Sequence, residues 1–416
     1  APAWHGRLRD GAPAGPAESF LAGLREQVYA RAERVQDGYS LETPVHPVAE
    51  GLLAEADVLD DALERLQRPL RQLRKALMAR LDEEAEELES ETRRRLEAMA
   101  RSIERRGLMP VQAWRDMLQA LREETPKEYV DWFAVERIEG RDFDVGMFRH
   151  WIDPMLPFAK AVLEPAQGAV VTSATLTDRE ADGSIDWLAA EMRSGALHLE
   201  NEACRARSRS PFDYAEQTRV IVVNDLNRND LEQNAAALRE LFLASGGGGL
   251  GLFTAISRLR AAHKRIAAPL EAAGLDLYAQ HVDRLNTSTL VDIFRAEPDS
   301  CLLGTDAVRD GVDVPGRALR LIVFDRVPWP RPSLAHKARR AYFGGARYDD
   351  MLTRLRLRQA FGRLIRKADD RGVFVLLDSR MPTRLTTAFP EEVEVQRIGL
   401  AEAVRAAREF LQPTPR

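Results

Sequence analysis

Cysteine is scarce in this chain: Cys204 and Cys301 are the whole complement. They lie too far apart for a zinc knuckle or a CxxC redox pair, so both read as inert thiols. No apolar run approaches the roughly 18 to 20 residues of a membrane span, and the opening APAWHGRLRD lacks the apolar segment of a signal peptide. Those absences argue against a membrane partner and make the cytoplasm the expected compartment. The seven histidines are scattered, which leaves no carboxylate and histidine constellation for a metal, and no metal ligand is assigned. Missing too is any lysine directly after a glycine. The sequence GxxxxGK[ST], whose backbone cradles phosphates, therefore occurs nowhere. The run Gly246 to Gly249 is no substitute, because it precedes a strand-like segment instead of opening a helix, and it reads as a turn. Asp82-Glu83-Glu84-Ala85 looks superficially like an acidic magnesium box but lies inside a charged helical stretch, where a solvated face is expected.

What is present is the composition of a folded soluble protein, 45% hydrophobic and 30% charged over 416 residues, long enough for two to three domains. A net charge of −5 says little about nucleic acid, since binding follows where basic residues cluster. Residues 1–128 read as a mostly helical region. Within it Leu59, Leu63, Leu66, Leu70, Leu73 and Leu77 recur at spacings of four and three, the pattern of one apolar helix face, with Pro69 expected to bend or interrupt it. Between 129 and 205 the texture is that of the end of a sheet domain, including a strand expected at Ala169 to Thr172. From 206 to 416 strands and helices alternate, with Val220 to Val223, Leu250 to Thr254, Leu275 to Tyr278, Leu302-Leu303, Leu319 to Phe324 and Val373 to Leu377 as strands. That alternation predicts an α/β fold with a parallel, doubly wound sheet whose ligands sit beyond the strand C-termini.

Several blocks carry chemistry. In Gln359-Ala360-Phe361-Gly362-Arg363-Leu364-Ile365-Arg366, a helix running to about residue 366 would place Gln359, Arg363 and Arg366 on one face. Two guanidinium forks aimed at one target suit phosphate oxygens, and a solvated basic helix is the plain alternative. The loop Gly304 to Gly316 sets Asp310, Gly311 and Asp313 beyond a strand, where carboxylates can hold a ribose hydroxyl or brace an arginine, or simply shape a turn. Thr172, Ser173 and Thr175 end the expected strand at 169–172 with hydroxyls, which can report a change near a phosphate or cap a turn.

Taken in order, these blocks resemble motifs III, V and VI of superfamily 2 helicases, in the wording of the DinG family within the XPD-like group. Thr172 to Leu176 is similar to the TSATL motif. Leu252 to Ser257 resembles motif IV, from which Ala255 and Ile256 depart. Tyr278-Ala279-Gln280 through Gly316 resembles the motif V region, the loop Asp325 to Pro332 carries Trp329 where phenylalanine is common, and residues 354–380 resemble motif VI and the last strand.

The resemblance implies a RecA-like second helicase lobe preceded by a helical, Arch-like insertion. It implies ATP and Mg²⁺ held mainly by a first lobe whose P-loop and DEAH box are not in this sequence, so the chain is expected to be the C-terminal part of a longer helicase. By itself it would then be inactive. Arg363, Arg366 and Gln359 would face the nucleotide, with Asp313, Asp310, Gly311 and Gly362 around it. Thr254, Ser257, Arg258, Thr305 and Arg309 would contact single-stranded DNA, with basic residues from Arg317 to Arg358, such as Lys337, Arg339, Arg340 and Arg347, extending that surface. Thr172, Ser173 and Thr175 would couple the two events, translocation would run 5′ to 3′, and no iron–sulfur cluster is expected in this chain. A helicase-like scaffold without catalysis, or a nuclease on the same fold, are the rival classes.

Overall fold

The computed structural model describes residues 15–33, 39–138, 140–180, 182–311 and 314–411. It divides into two compact units. One holds the described residues up to Pro154 together with Pro332–Tyr342, and the other runs over Met155–Arg331 and from Phe343 onward. The division falls at Pro154, later in the chain than the residue 128 boundary read from the sequence.

The first unit is helical with a small sheet. Helix α1 (Pro16–Arg31) starts on a proline, whose missing N–H is harmless in a first turn, and buries Phe20, Leu24 and Val28 at helical spacing. Strand β1 (Leu41–Pro44) follows. Helix α2 (Glu50–Glu83) then runs unbroken through Pro69, so the expected interruption does not occur: Pro69 is exposed, and water can satisfy the carbonyl it leaves without a partner. Helices α3 (Ser90–Ile103) and α4 (Met109–Gln119) are joined by a single π-turn. The leucine face expected on α2 is partly buried: Leu59 and Leu63 pack against the core, while Leu66 and Leu73 are half exposed. Polar groups also fasten α2 to α4. Gln67 donates to the Leu108 carbonyl and to Gln112, and Arg115 pairs with Asp60 at 2.7 Å and with Glu64. Strands β2 (Tyr129–Ile138) and β3 (Arg141–Trp151) form a hairpin on which β1 lies antiparallel. Phe133, Val135 and Val145 face a core shared with α1 and α2, while Trp132 stacks on Phe148 on the other side.

The second unit is built on seven strands, β4 (Thr218–Val223), β5 (Gly249–Leu252), β6 (Leu277–Ala279), β7 (Cys301–Gly304), β8 (Leu321–Phe324), β9 (Gly372–Leu376) and β10 (Val395–Ile398). Their spatial order is β10-β4-β9-β8-β5-β7-β6, and every pairing is parallel. Runs such as Leu-Ile-Val-Phe are apolar at every position because both faces are covered. Val220, Val222, Ile322, Phe324 and Phe374 point to the face packed by α7 (Thr287–Ala296) and α8 (Ala346–Phe361). Ile221, Val223, Leu321, Val323 and Val375 point to α5 (Leu231–Ser245), α6 (Ile256–Ala272) and α9 (Leu400–Leu411). The α/β, doubly wound architecture expected of the sequence is the one observed. Glycines 246 to 248, all at positive φ, end α5 and turn into β5, which is the turn role expected of them.

Two local expectations fail in this second unit. Residues 169–172 form no strand: Val170 is 93% exposed and no strand lies beside it among the described residues. An extended segment needs a neighbour to satisfy its backbone groups before it becomes a strand. Helix α8 also stops at Phe361 and does not run to 366. Gly362 is a poor helix former, the next N–H groups of Arg363 and Leu364 bond only three residues back, and the Asp370 carboxylate captures those of Arg366 and Lys367, each at 2.7 Å.

Candidate functional site

Parallel strands bring all their C-terminal ends to one edge, which is where ligands of such sheets sit. Here Asn224, Gln280, Thr305 and Asp325 directly follow β4, β6, β7 and β8, and Thr254 comes two residues after β5. Gln280 organises part of this edge. Its side-chain oxygen accepts from the Thr305 backbone N–H (3.0 Å) and hydroxyl (2.8 Å), and its amide donates to Thr287 Oγ1 at 3.2 Å. Asp325, 3% exposed, organises the rest by accepting from Arg258 Nε at 2.6 Å and from the Thr254 N–H at 3.3 Å. Burial pushes the Asp325 carboxyl above its ordinary range, with Arg258 opposing the shift.

The five residues expected to contact nucleic acid are therefore not equivalent. Thr254 and Ser257 are exposed at this edge. Thr305 is half-buried and already engaged by Gln280. Arg258 is mostly buried, and its Nε donates to Asp325. Arg309 lies in the short helix Asp306–Gly311, and its side chain is outside the described residues, as are those of Asp310 and Gly311; Asp313 lies outside them altogether. Sequence reading missed Gln280 and Asp325 as site residues, and the available signal was a polar residue directly after a buried strand.

The arginine block sits at the opposite edge, between the end of α8 and the start of β9. Gln359 is half-buried in the last helical turn, and Gly362 ends it. In Arg363-Leu364-Ile365-Arg366 the two middle residues sink into the core, 1% and 4% exposed, while Arg363 is half-buried and Arg366 exposed. The two arginines thus flank a pair of apolar anchors. Val314, just after Asp313, belongs to the same buried core as Leu357, Leu364 and Ile365. These donors suit phosphate oxygens. They do not suit a metal, and no group of three or more histidine, cysteine or acidic residues placed to hold one occurs among the described residues.

The hydroxyl segment is tied to α8. Thr172 and Ser173 are exposed and Thr175 is half-buried. Arg193 donates to the carbonyls of Thr175 (2.8 Å) and Leu176, and Arg358 to that of Thr177. Next to them Asp178 accepts from Arg354 Nη2 at 2.6 Å and Arg358 Nη2 at 3.2 Å, with Asp178 and the Arg354 side chain each 4% exposed. Burial lowers the pKa of Arg193 and Arg358 from the usual arginine value.

Most basic residues expected to extend the DNA surface between Arg317 and Arg358 already have internal partners. Arg317 and Arg320 bind Asp299, Arg339 donates to the Trp151 and Ile152 carbonyls, Arg347 pairs with Glu180, and Arg356 donates to the Pro328 carbonyl. Cys301 is buried, its thiol pushed up to about 12, as befits an inert side chain.

Among the described residues no helix is long and apolar enough to cross a membrane. A family described as Helicase C-terminal domain matches residues 238–396. An ATP-dependent helicase DinG of Mycobacterium tuberculosis is 35% identical over 230 residues, covering 51% of this chain and 32% of that protein. The ATP-dependent DNA helicase YoaA of Escherichia coli is 31% identical over 186 residues, 42% of this chain and 28% of its own length. A Bacillus subtilis protein named 3'-5' exonuclease DinG is 27% identical over 295 residues, 67% of this chain and 30% of its own. The chain thus spans about a third of the length of these relatives. A solved XPD helicase shares the fold, with a TM-score of 0.52 at 12% identity over 95% of this chain and 64% of the other. Parallel sheet, motif order and these likenesses agree: the chain carries a helicase C-terminal domain over residues 238–396 and is similar to the corresponding part of DinG and YoaA helicases.

Proposed function

We propose that this chain supplies the second motor lobe of an ATP-dependent DNA helicase that acts on single-stranded DNA, working against a first lobe that carries the P-loop. Arg363 and Arg366 complete the nucleotide site by neutralising charge on the transferring γ-phosphoryl group, and Gln359 senses the nucleotide beside them. The phosphates and Mg²⁺ are gripped mainly by the first lobe, and the magnesium supplies the charge neutralisation usual in phosphoryl transfer. Asp310 and Asp313 orient groups next to the arginines. Thr254, Ser257 and Thr305 line the strand C-terminal edge where the DNA backbone runs, and Thr172, Ser173 and Thr175 couple the two sites. Phosphate contacts carry no sequence information, so affinity should fall steeply with salt and vary little with sequence. Movement is 5′ to 3′.

One observation supports this most: Leu364 and Ile365 are buried between two less buried arginines, an arrangement that anchors the backbone of both arginines on one short loop. The test is Arg363→Ala in the chain assembled with its P-loop lobe. ATP hydrolysis should fall by roughly 3 to 5 decades, judged by other arginine fingers, with single-strand affinity nearly unchanged. Retained hydrolysis would sink the proposal.

A further inference from the structure

The loop that carries Arg366 is exposed from Arg366 to Asp369, yet it is held from beneath by two buried polar side chains, Gln217 and Asp370. Gln217 ends the short helix Tyr214–Gln217, directly before β4. Its amide nitrogen lies 3.2, 3.0 and 3.1 Å from the carbonyls of Lys367, Ala368 and Asp370, so two N–H donors are shared among three acceptors. From the other direction the Asp370 Oδ2 accepts the backbone N–H groups of Arg366 and Lys367, each at 2.7 Å. Five contacts thus define a five-residue turn whose outward-facing residues have no core packing of their own. The second Asp370 oxygen faces Gly316: a Cβ built there would stand 4.0 Å from Oδ1, and Gly316 has a φ of +74°. One carboxylate thereby fixes the arginine loop and lies against the end of the Gly304–Gly316 loop.

We propose that Asp370 and Gln217 are positioning residues for Arg366, setting where its backbone stands relative to a phosphate without touching the nucleotide. The proposal rests on the reading of Arg366 as phosphate-facing. Its physical content is that a guanidinium contributes to a transition state only within a few tenths of an ångström of its place, and a displacement of about 1 Å lowers turnover roughly 100-fold. Ground-state binding, dominated by the P-loop lobe, should hardly notice.

The experiment compares Asp370→Ala, Gln217→Met and Asp370→Asn with Arg366→Ala, each in the chain assembled with its P-loop lobe, measuring kcat and KM for ATP, single-strand affinity and thermal midpoint. Asp370→Ala and Gln217→Met should each lower kcat about 10- to 100-fold, with KM and DNA affinity within about twofold of the parent. Asn keeps an oxygen that accepts both N–H groups, so Asp370→Asn should recover most of the rate. The inference is overturned if both disruptive variants keep parental kcat, or if kcat, DNA affinity and folded fraction fall together. Should Arg366→Ala itself hydrolyse ATP normally, the phosphate-facing reading fails; if only Arg366→Ala is impaired, that reading stands and the positioning role fails alone.

Discussion

Two sets of arginines lie a turn or two apart along Arg354 to Arg366, and the structure treats them oppositely. Arg354 and Arg358, on the body of α8, converge on the buried carboxylate of Asp178. Arg363 and Arg366, beyond the end of that helix, flank buried Leu364 and Ile365 and are themselves less buried. Residue type is the same; what differs is the setting, a helix body packed on a buried carboxylate in one case and a loop past the helix end in the other. An arginine facing a buried carboxylate holds the fold together, and the loop pair is the one proposed above to meet phosphate.

That contrast can be broken by substitution. Arg354→Ala should have the largest effect on folding, because it leaves Asp178 buried with a weaker partner: about 3 to 5 kcal/mol of stability lost in denaturant titrations. Arg363→Ala, at a half-buried loop position, should cost clearly less in the same titration. Equal losses would erase the distinction between the two sets.

Arg258→Ala extends the test to the strand C-terminal edge and should remove about 1 to 3 kcal/mol. Its pH dependence carries the diagnosis. Burial already raises the Asp325 carboxyl above its ordinary range, and losing Arg258 raises it further. A raised acid stabilises the fold below its unfolded value, near pH 4, and that contribution is lost as pH rises through the folded value. The variant's deficit should therefore be small in acid and grow towards neutrality. A deficit independent of pH would mean that Arg258 acts through packing alone.

Smaller effects sharpen the picture. His281, directly after Gln280, has a φ of 65°, a conformation glycine adopts without strain. His281→Gly should gain about 1 kcal/mol, read as a higher thermal midpoint. In the first unit Glu55 has a buried oxygen without a hydrogen-bond partner, and burial followed by repulsion from Glu26 raises its pKa. Glu55→Gln should stabilise by up to about 1 kcal/mol at neutral pH and by less near pH 4, where the carboxyl is protonated. A larger gain in acid would contradict the assignment.

Much of the second unit was legible because its strands are continuous apolar runs and its helices bury residues at helical spacing. The first unit was legible as helical but not in its packing, since the leucine spacing on α2 gave no hint that Gln67, Asp60 and Glu64 would make the contact with α4. The helical reading of the arginine block failed at Gly362, where one poor helix former and one distant carboxylate outweighed the periodicity. The strand at 169–172 failed for lack of a neighbouring strand. Gln217 and Asp178 could not be singled out, because each acquires its meaning from partners far away in sequence.

By itself the order of residues determined the parallel α/β sheet and the motif order, since these follow from local hydrophobic pattern and short-range spacing. Only the folded chain decided that Arg354 and Arg358 meet the buried Asp178 carboxylate and that Arg363 and Arg366 lie beyond the end of their helix. Charge pairing acts over a few ångströms in space, and nothing in the linear sequence sets that distance.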